Sequence, residues 1–275
     1  MAKVALPYKA WIRTYGVTIR LESDQEHLLA LTLQSARKGV VGSLEIVAEQ
    51  TTAHSFGFYS GNKDKSFLQI DGGELLERYG SEHLLLNFES MLRIKVAEYA
   101  VGRMFLHAGA VGWEGKAIIF PADSFGGKST LTAEFVRRGA DYYSDDYAVF
   151  DGEGLLHPFS RPISIREKHG KDLKFGVREM SAVQIGGKTG VSPIPVGVVW
   201  ITHYEEGASW KPELLSPGEA VMEMISQTIP IRYAPEFSFK VLKKITSNAI
   251  LLKCPRSDAR KFAGLFLDFV DNKAF

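Results

Sequence analysis

The sequence contains one cysteine, Cys254, among its 275 residues. A single cysteine excludes an internal disulfide bond, and the CxxC spacing of a zinc site is absent. Such sparing use of cysteine is typical of proteins in a reducing cytosol, so we expect a cytoplasmic protein.

Long apolar runs and an excess of one charge are also absent. The N-terminus lacks the apolar core of about 7–15 residues that a signal peptide requires, and no run approaches the roughly 20 apolar residues of a membrane span. The 33 basic residues nearly balance the 32 acidic ones, which leaves a net charge of +1. A nearly neutral chain has no field that would gather nucleic acid or an anionic membrane, so we expect neither as a partner.

Apolar residues, by contrast, are plentiful at 45% of the chain, enough for a large core. We predict two domains, a smaller N-terminal α/β domain at residues 1–95 and a larger domain at residues 96–275. In the first, alternating or continuous apolar residues predict strands at 11–21, 44–48 and 56–60, and apolar residues at helical spacing predict a helix within 81–104.

In the second domain, the runs LHAGAV and KAIIF flank the turn-like residues 113–115, which indicates a hairpin. Ser216, Pro217 and Glu219 have the pattern of a capping box at the start of a helix. Further strands are predicted at 197–204 and 250–254. A final helix is predicted to begin after Ser257 or Asp258.

A phosphate-binding loop is predicted directly after the hairpin. An apolar strand at 116–120 leads into a glycine-containing loop, and a helix then runs from about Lys128 to Arg138. Strand, loop and helix in this order are the context of the motif G-x-x-x-x-G-K-[ST], whose backbone N–H groups and helix N-terminus bind phosphate oxygens. The residues predicted to bind the nucleotide are Asp123, Ser124, Phe125, Gly126, Gly127, Lys128, Ser129 and Thr130.

Within this loop, Lys128 can reach the β- and γ-phosphates and the Ser129 hydroxyl can ligate Mg²⁺. The first glycine of the motif is replaced by Ala122, and a plain glycine-rich turn before a helix is the alternative interpretation. A second match to the relaxed pattern, at 182–189, follows no apolar strand and precedes two prolines, so we interpret it as a mobile loop.

Two adjacent aspartates, Asp145 and Asp146, interrupt an apolar run 17 residues after Lys128. Adjacent carboxylates in such a run are costly to bury unless a cation offsets them, and Mg²⁺ on the phosphates is a natural partner. One could hold the metal or its waters while the other accepts a proton from an attacking hydroxyl. An exposed turn is the alternative.

Three further residues are candidates for assisting roles. His107 begins the hairpin strand beside the loop, although a lone histidine is often structural. Arg161 and Arg166 follow the aspartate pair, and either could clamp a phosphate or a carboxylate or lie on the surface.

The order HAG, phosphate loop and paired aspartates resembles the catalytic domain of bacterial HPr kinase/phosphorylase and its relatives, including kinases of modified-peptide biosynthesis clusters. The loop resembles the family's GDSGxGKS, and the segment from Ser144 to Val149 resembles its ADDxV. The resemblance covers roughly residues 105–168. It implies an α/β fold in which a P-loop kinase domain, akin to phosphoenolpyruvate carboxykinase, follows the smaller N-terminal α/β segment.

The resemblance also implies a function and a division of roles. It implies that ATP, or GTP, and Mg²⁺ support phosphoryl transfer to a serine-type hydroxyl of a peptide, protein or small molecule. Asp145 would be the base, Ser129 and Asp146 would hold the metal, and His107 and Arg166 would assist. Because the family assembles into rings, a homo-oligomer is a further expectation.

The sequence departs from the family at Ala122 and Phe125, and of the family's EIRGxG signature only Ser164-Ile165-Arg166 remains. We therefore expect an acceptor other than HPr itself. Two other classes of function stay open, namely an NTP hydrolase or nucleotide-gated switch with water as acceptor, and a nucleotide-binding module without turnover.

Overall fold

The structure, a computed structural model, describes residues 5–61, 65–123, 126–169 and 174–271. The chain forms two compact units, Met1–Val101 and Gly102–Phe275. The helix Ser81–Tyr99, which the predicted boundary at residue 95 would cut, lies wholly within the first unit.

The first unit is a mixed six-stranded sheet with two helices. The strands have the order β3-β1-β2-β4-β5-β6, and only β2 and β4 pair in parallel. Both helices contact the sheet and each other, and Phe88 of the second helix meets Phe56 and Phe58 edge-on. The elements are β1 Tyr8–Thr14, β2 Val17–Ser23, α1 Glu26–Gly39, β3 Glu45–Val47, β4 His54–Ser60, β5 Lys65–Ile70, β6 Leu75–Tyr79 and α2 Ser81–Tyr99.

The second unit contains a mixed nine-stranded sheet and a separate hairpin, β12–β13. Its elements are β7 Met104–Trp113, β8 Lys116–Pro121, α3 Lys128–Arg137, β9 Asp141–Ser144, β10 Tyr147–Phe150, β11 Leu156–His157, β12 Ile163–His169, β13 Lys174–Met180, α4 Ala182–Ile185, β14 Lys188–Thr189, β15 Val196–Ile201, β16 Glu213–Leu214, α5 Pro217–Ile225, a 3₁₀ helix Ile229–Arg232, α6 Pro235–Asn248, β17 Ile250–Lys253 and α7 Ala259–Asp271.

The nine-stranded sheet runs β11-β10-β7-β8-β15-β17-β16, with β9 paired to both β7 and β14. The central strands β8, β15 and β17 are parallel, and they are covered on both faces. Ile118 packs with residues of α3 and α7, whereas its neighbour Ile119 packs with residues of α5 and α6. The near-continuous apolar character of β8 follows from this two-sided burial.

The expected α/β class is therefore confirmed, as are several local signals. Glu114 and Gly115 form the turn between β7 and β8 with φ of 48° and 79°, a conformation that favours a tight two-residue hairpin. The capping box of Ser216 and Glu219 begins α5 with Pro217 at its first position.

Two parts of the sequence behave differently from expectation. The segment 182–189, interpreted as a mobile loop, contains the helical turn α4, capped by Ser181 and Gln184, and the short strand β14 paired to β9. Helix α1 was not predicted at all. Of the helices in the described part of the chain, none has both the length and the apolar character needed to cross a membrane.

The pairing of β7 with β8 predicts a packing constraint at Gly109, which lies opposite the fully buried Phe120. A Cβ at Gly109 would overlap the Phe120 ring. We expect Gly109→Ala to lower the free energy of unfolding by about 1–3 kcal/mol, because overpacking forces strained side chains or backbone shifts. Urea unfolding followed by circular dichroism measures this difference.

Gly218→Ala is the matched control, since a Cβ there would meet open space within α5. We expect this variant to be neutral or stabilised by roughly 0.4–1 kcal/mol. Equal stability of the Gly109→Ala variant and the wild type would contradict the packing argument.

Candidate functional site

Strand directions bring the predicted site residues to one edge of the sheet. β8 ends at Pro121, where the chain enters the loop, and Ala108 of the antiparallel β7 lies opposite it. Tyr147, the first residue of β10, pairs with His107. The loop, His107 and the turn just before β10 therefore lie side by side.

The predicted context of the loop is confirmed, because it joins β8 to α3. Helix α3 begins at Lys128, and Gly127 at its N-cap has a φ of 75°, which favours glycine. Ser124 and Phe125 lie outside the described residues. Thr130, in the first turn of α3, is exposed.

Lys128 turns back over the loop. Its ammonium group donates hydrogen bonds to the carbonyl oxygens of Ala122, at 2.8 Å, and Asp123, at 2.9 Å. The side chain is buried, and burial lowers its pKa to about 8 although three nearby aspartates oppose the shift. A buried lysine with a lowered pKa, directly after two glycines of a loop, is a candidate for anion binding.

Asp145 and Asp146 form the turn between β9 and β10, so neither is confined to a strand face. The Ser144 hydroxyl fixes this turn by accepting hydrogen bonds from the N–H groups of Asp146 and Tyr147, at 3.2 and 3.1 Å. The alternative of a freely exposed turn does not hold for Asp145, which is 7% exposed.

The Asp145 carboxyl group accepts hydrogen bonds from neighbouring groups. It accepts from the Tyr142 hydroxyl at 2.9 Å and from the Ser164 N–H at 3.4 Å. The Ser129 hydroxyl of the loop helix is close enough to lower the pKa of this carboxyl group. Burial raises the pKa of Asp145 in spite of these bonds. A buried carboxyl group thus lies beside the start of the loop helix.

Asp146 is the more exposed member of the pair, with 36% of its side chain accessible, and its carboxylate lies 3.8 Å from the His107 imidazole. The other ring nitrogen of His107 lies 3.2 Å from the Gln227 amide oxygen. Burial and the charge of Lys128 lower the pKa of His107, although Asp146 opposes this. His107 is therefore in the site, as predicted from its strand position.

Gln227 was not predicted as a site residue. Besides contacting His107, its amide nitrogen donates to the Asp123 carboxylate at 2.7 Å. Its backbone carbonyl accepts from the His107 N–H at 2.8 Å, which fixes it beside β7. No sequence signal marks it, because it follows α5 at a position defined only by tertiary packing.

Arg256 was also missed. It follows β17, and its guanidinium Nη2 donates to the Gly126 carbonyl of the loop at 2.6 Å. It is 3% exposed. The signal that could have found it is its place just after a parallel strand, since the carboxyl ends of parallel strands meet at the edge where ligands bind.

Arg161 and Arg166 both follow the aspartate turn in the sequence. The Arg161 backbone lies close enough to the Tyr142 hydroxyl to oppose the rise in the pKa of Tyr142. The backbone of Arg166 lies in β12, but its side chain lies outside the described part of the structure. Its predicted assisting role stays a prediction.

The oxygen donors at this edge fit a hard cation, as Ser129 and the aspartate pair are oxygen ligands of the kind Mg²⁺ prefers. Among the described residues, no group of three or more His, Cys, Asp or Glu side chains could hold a metal. Mg²⁺ commonly binds through one or two carboxylates together with phosphate oxygens and water. The residues present fit that mode rather than an all-protein cage.

The chain shows structural similarity to the Hpr(Ser) kinase/phosphatase from Coxiella burnetii. The two are 14% identical with a TM-score of 0.34, and the match covers 62% of this chain and 95% of that chain. No protein-family model matches the sequence, and no curated protein matches it significantly. A likeness of this degree does not assign the chain to a family.

The hydrogen bond from Tyr142 to Asp145 yields a stability prediction. We expect Tyr142→Phe to lower the free energy of unfolding by about 1.5–3 kcal/mol, because a buried acidic group loses a donor. Urea unfolding at pH 7.5 measures the loss.

Tyr143→Phe is the matched control, since the hydroxyl of this neighbour donates to the neutral carbonyl of Ser192 at 2.7 Å. We expect a smaller loss of about 0.5–1.5 kcal/mol for this bond. A Tyr142→Phe variant no less stable than Tyr143→Phe would contradict a special role for the bond to Asp145.

Proposed function

We propose that this chain is a Mg²⁺-dependent kinase that transfers the γ-phosphoryl group of ATP to a serine-type hydroxyl of a peptide, protein or small molecule. The observation that carries this proposal is the proximity of Asp145, of the aspartate pair, to Ser129, at the start of the loop helix, which is close enough to oppose the rise in the pKa of Asp145. It joins the two parts that phosphoryl transfer needs, a phosphate cradle and a carboxylate pair.

The nucleotide phosphates would bind where the loop meets α3. In the described part of the chain, no side chain caps the N-terminus of α3, so its first N–H groups are available to an anion. Lys128 would leave its carbonyl partners for the β- and γ-phosphates, whose charge would favour its protonated form. Gln227, through Asp123, would help to hold the loop.

The metal would be held by Ser129 and one aspartate of the pair. When bound, Mg²⁺ neutralises charge on the phosphate oxygens. The family resemblance assigns the metal to Asp146 and the base to Asp145, whereas the proximity of Asp145 to Ser129 favours the reverse division. A kinase needs one carboxylate in each role, and substitution can decide the order.

The carboxylate that is not on the metal would accept the proton of the acceptor hydroxyl and orient its oxygen for attack. Asp146 is the more exposed of the two, and His107 lies beside it at 3.8 Å. His107 would then position that carboxylate, and it is itself held by Gln227. Most of the rate enhancement would come from positioning and from charge stabilisation.

The test is an assay with γ-³²P-ATP and Mg²⁺ in which serine, serine-containing peptides and a cell extract are offered as acceptors. We expect label to move to an acceptor with the wild type and not with Lys128→Ala, which loses the phosphate-binding ammonium group. Label released only as free phosphate would overturn the kinase in favour of a hydrolase or switch. ATP binding with neither product, across these acceptors, would favour a binding module.

Substitution of each aspartate predicts different kinetic losses. We expect asparagine at the base position to preserve ATP binding and lower kcat about 10²- to 10⁴-fold. At the metal position it should raise the Mg²⁺ concentration needed for half-maximal ATP binding. Titration calorimetry and single-turnover kinetics of Asp145→Asn and Asp146→Asn measure both effects.

Asp141→Asn is the control for these variants. It lies at the opposite end of β9 and pairs with the exposed Lys188. We expect its kinetics to match the wild type. Full activity in both Asp145→Asn and Asp146→Asn would exclude the aspartate pair from catalysis.

A further inference from the structure

Arg256 is held rigidly beside the phosphate loop. Its N–H donates to the His203 carbonyl at 2.9 Å, and its own carbonyl accepts from Glu205 at 2.8 Å. The chain after β17 thus continues alongside the chain after β15, and the two extensions fix the Arg256 backbone. A long side chain that starts from a fixed backbone delivers its guanidinium to a defined place.

The guanidinium lies against Gly126 and Gly127 of the loop. Nη2 of Arg256 donates to the Gly126 carbonyl at 2.6 Å, and a Cβ on Gly127 would lie 2.5 Å from the same nitrogen. A side chain at 127 would therefore require the guanidinium to move from this position. The loop backbone and the Arg256 side chain are therefore in close contact.

The positive charge of Arg256 is poorly compensated. Its Nε is buried without a hydrogen-bond partner, and no carboxylate forms an ion pair with it within the described ranges. Burial also lowers its pKa, and the group that opposes this shift is Tyr204 rather than a carboxylate. Burying a cation without a counter-charge is costly, so such a group points to an anion that binds from outside the chain.

We propose that Arg256 is a phosphate-binding residue of the nucleotide site, which contacts the polyphosphate of a nucleoside di- or triphosphate while its Nη2 holds the loop through Gly126. This inference rests on the proposed nucleotide site and adds to it a second cation besides Lys128. The planar guanidinium has five N–H donors, and the bond to Gly126 uses one of them.

A purely structural role is the competing explanation, in which Arg256 only fixes the loop. Arg256→Gln removes the charge and, because the glutamine amide is shorter, also the bond to the Gly126 carbonyl. A purely structural role predicts a lower Tm without ligand together with weaker binding, whereas phosphate binding predicts weaker binding by an equally stable variant. The probes are Mg-ATP and magnesium tripolyphosphate, which carries the phosphates without base or sugar. Binding is measured by titration calorimetry and by the rise in Tm that each probe causes.

Arg138→Gln is the matched control. This arginine also donates Nη2 to a backbone carbonyl, that of Arg260 at 2.8 Å, but it is exposed and lies at the other end of α3. We expect Arg256→Gln to weaken binding of both probes about 10- to 100-fold, the loss typical of one charge-assisted hydrogen bond. Arg138→Gln should bind both probes within about twofold of the wild type, because the charge that it removes lies on the surface away from the nucleotide site.

The outcomes are distinguishable. Wild-type affinity for both probes in Arg256→Gln would overturn the assignment while leaving the nucleotide site intact. Absence of binding by the wild type itself would overturn both the assignment and the proposed function. If Arg256→Gln does not fold, Arg256→Lys serves instead, and unchanged affinity for tripolyphosphate in that variant would overturn a role for the planar guanidinium.

Discussion

The antiparallel pairing of β7 with β8 and of β10 with β7 is the constraint on which the site depends. Because these pairings fix register, His107 lies opposite Tyr147 and Ala108 lies opposite Pro121, where the chain leaves the sheet. A slip of one residue would turn every side chain of β7 to the other face. Gly109, opposite Phe120, makes such a slip costly, because only a residue without a side chain fits over the ring.

Two buried cations, Lys128 and Arg256, hold the loop in shape. Lys128 donates to the carbonyls of Ala122 and Asp123 on one side of the loop, and Arg256 donates to the carbonyl of Gly126 on the other. Carbonyl oxygens satisfy donors but carry no full negative charge. Three nearby aspartates offset part of the cost of burying the charge of Lys128, whereas Arg256 forms no ion pair within the described ranges and keeps more of that cost.

Local patterns in the sequence predicted those parts of the fold that local physics determines. The β7–β8 hairpin, the loop between β8 and α3 and the capping box of Ser216 and Glu219 each depend on neighbouring residues. Gln227 and Arg256 could not be found in this way, because each reaches the loop from a distant part of the chain through sheet order and packing. Within the segment 182–189, β14 was missed for the same reason, since it is stabilised by β9. The helical turn α4 begins instead with a local capping box of Ser181 and Gln184, which the sequence does carry.

Cys254, the chain's single cysteine, is fully buried at the end of β17, two residues before Arg256. Burial raises the pKa of its thiol, so little of the reactive thiolate forms near neutral pH. The native protein therefore offers almost no background to thiol-directed reagents. A cysteine placed on an exposed position such as Thr130 could carry a fluorescent or spin label alone, which would allow motion at the start of α3 to be followed spectroscopically without first removing a native residue.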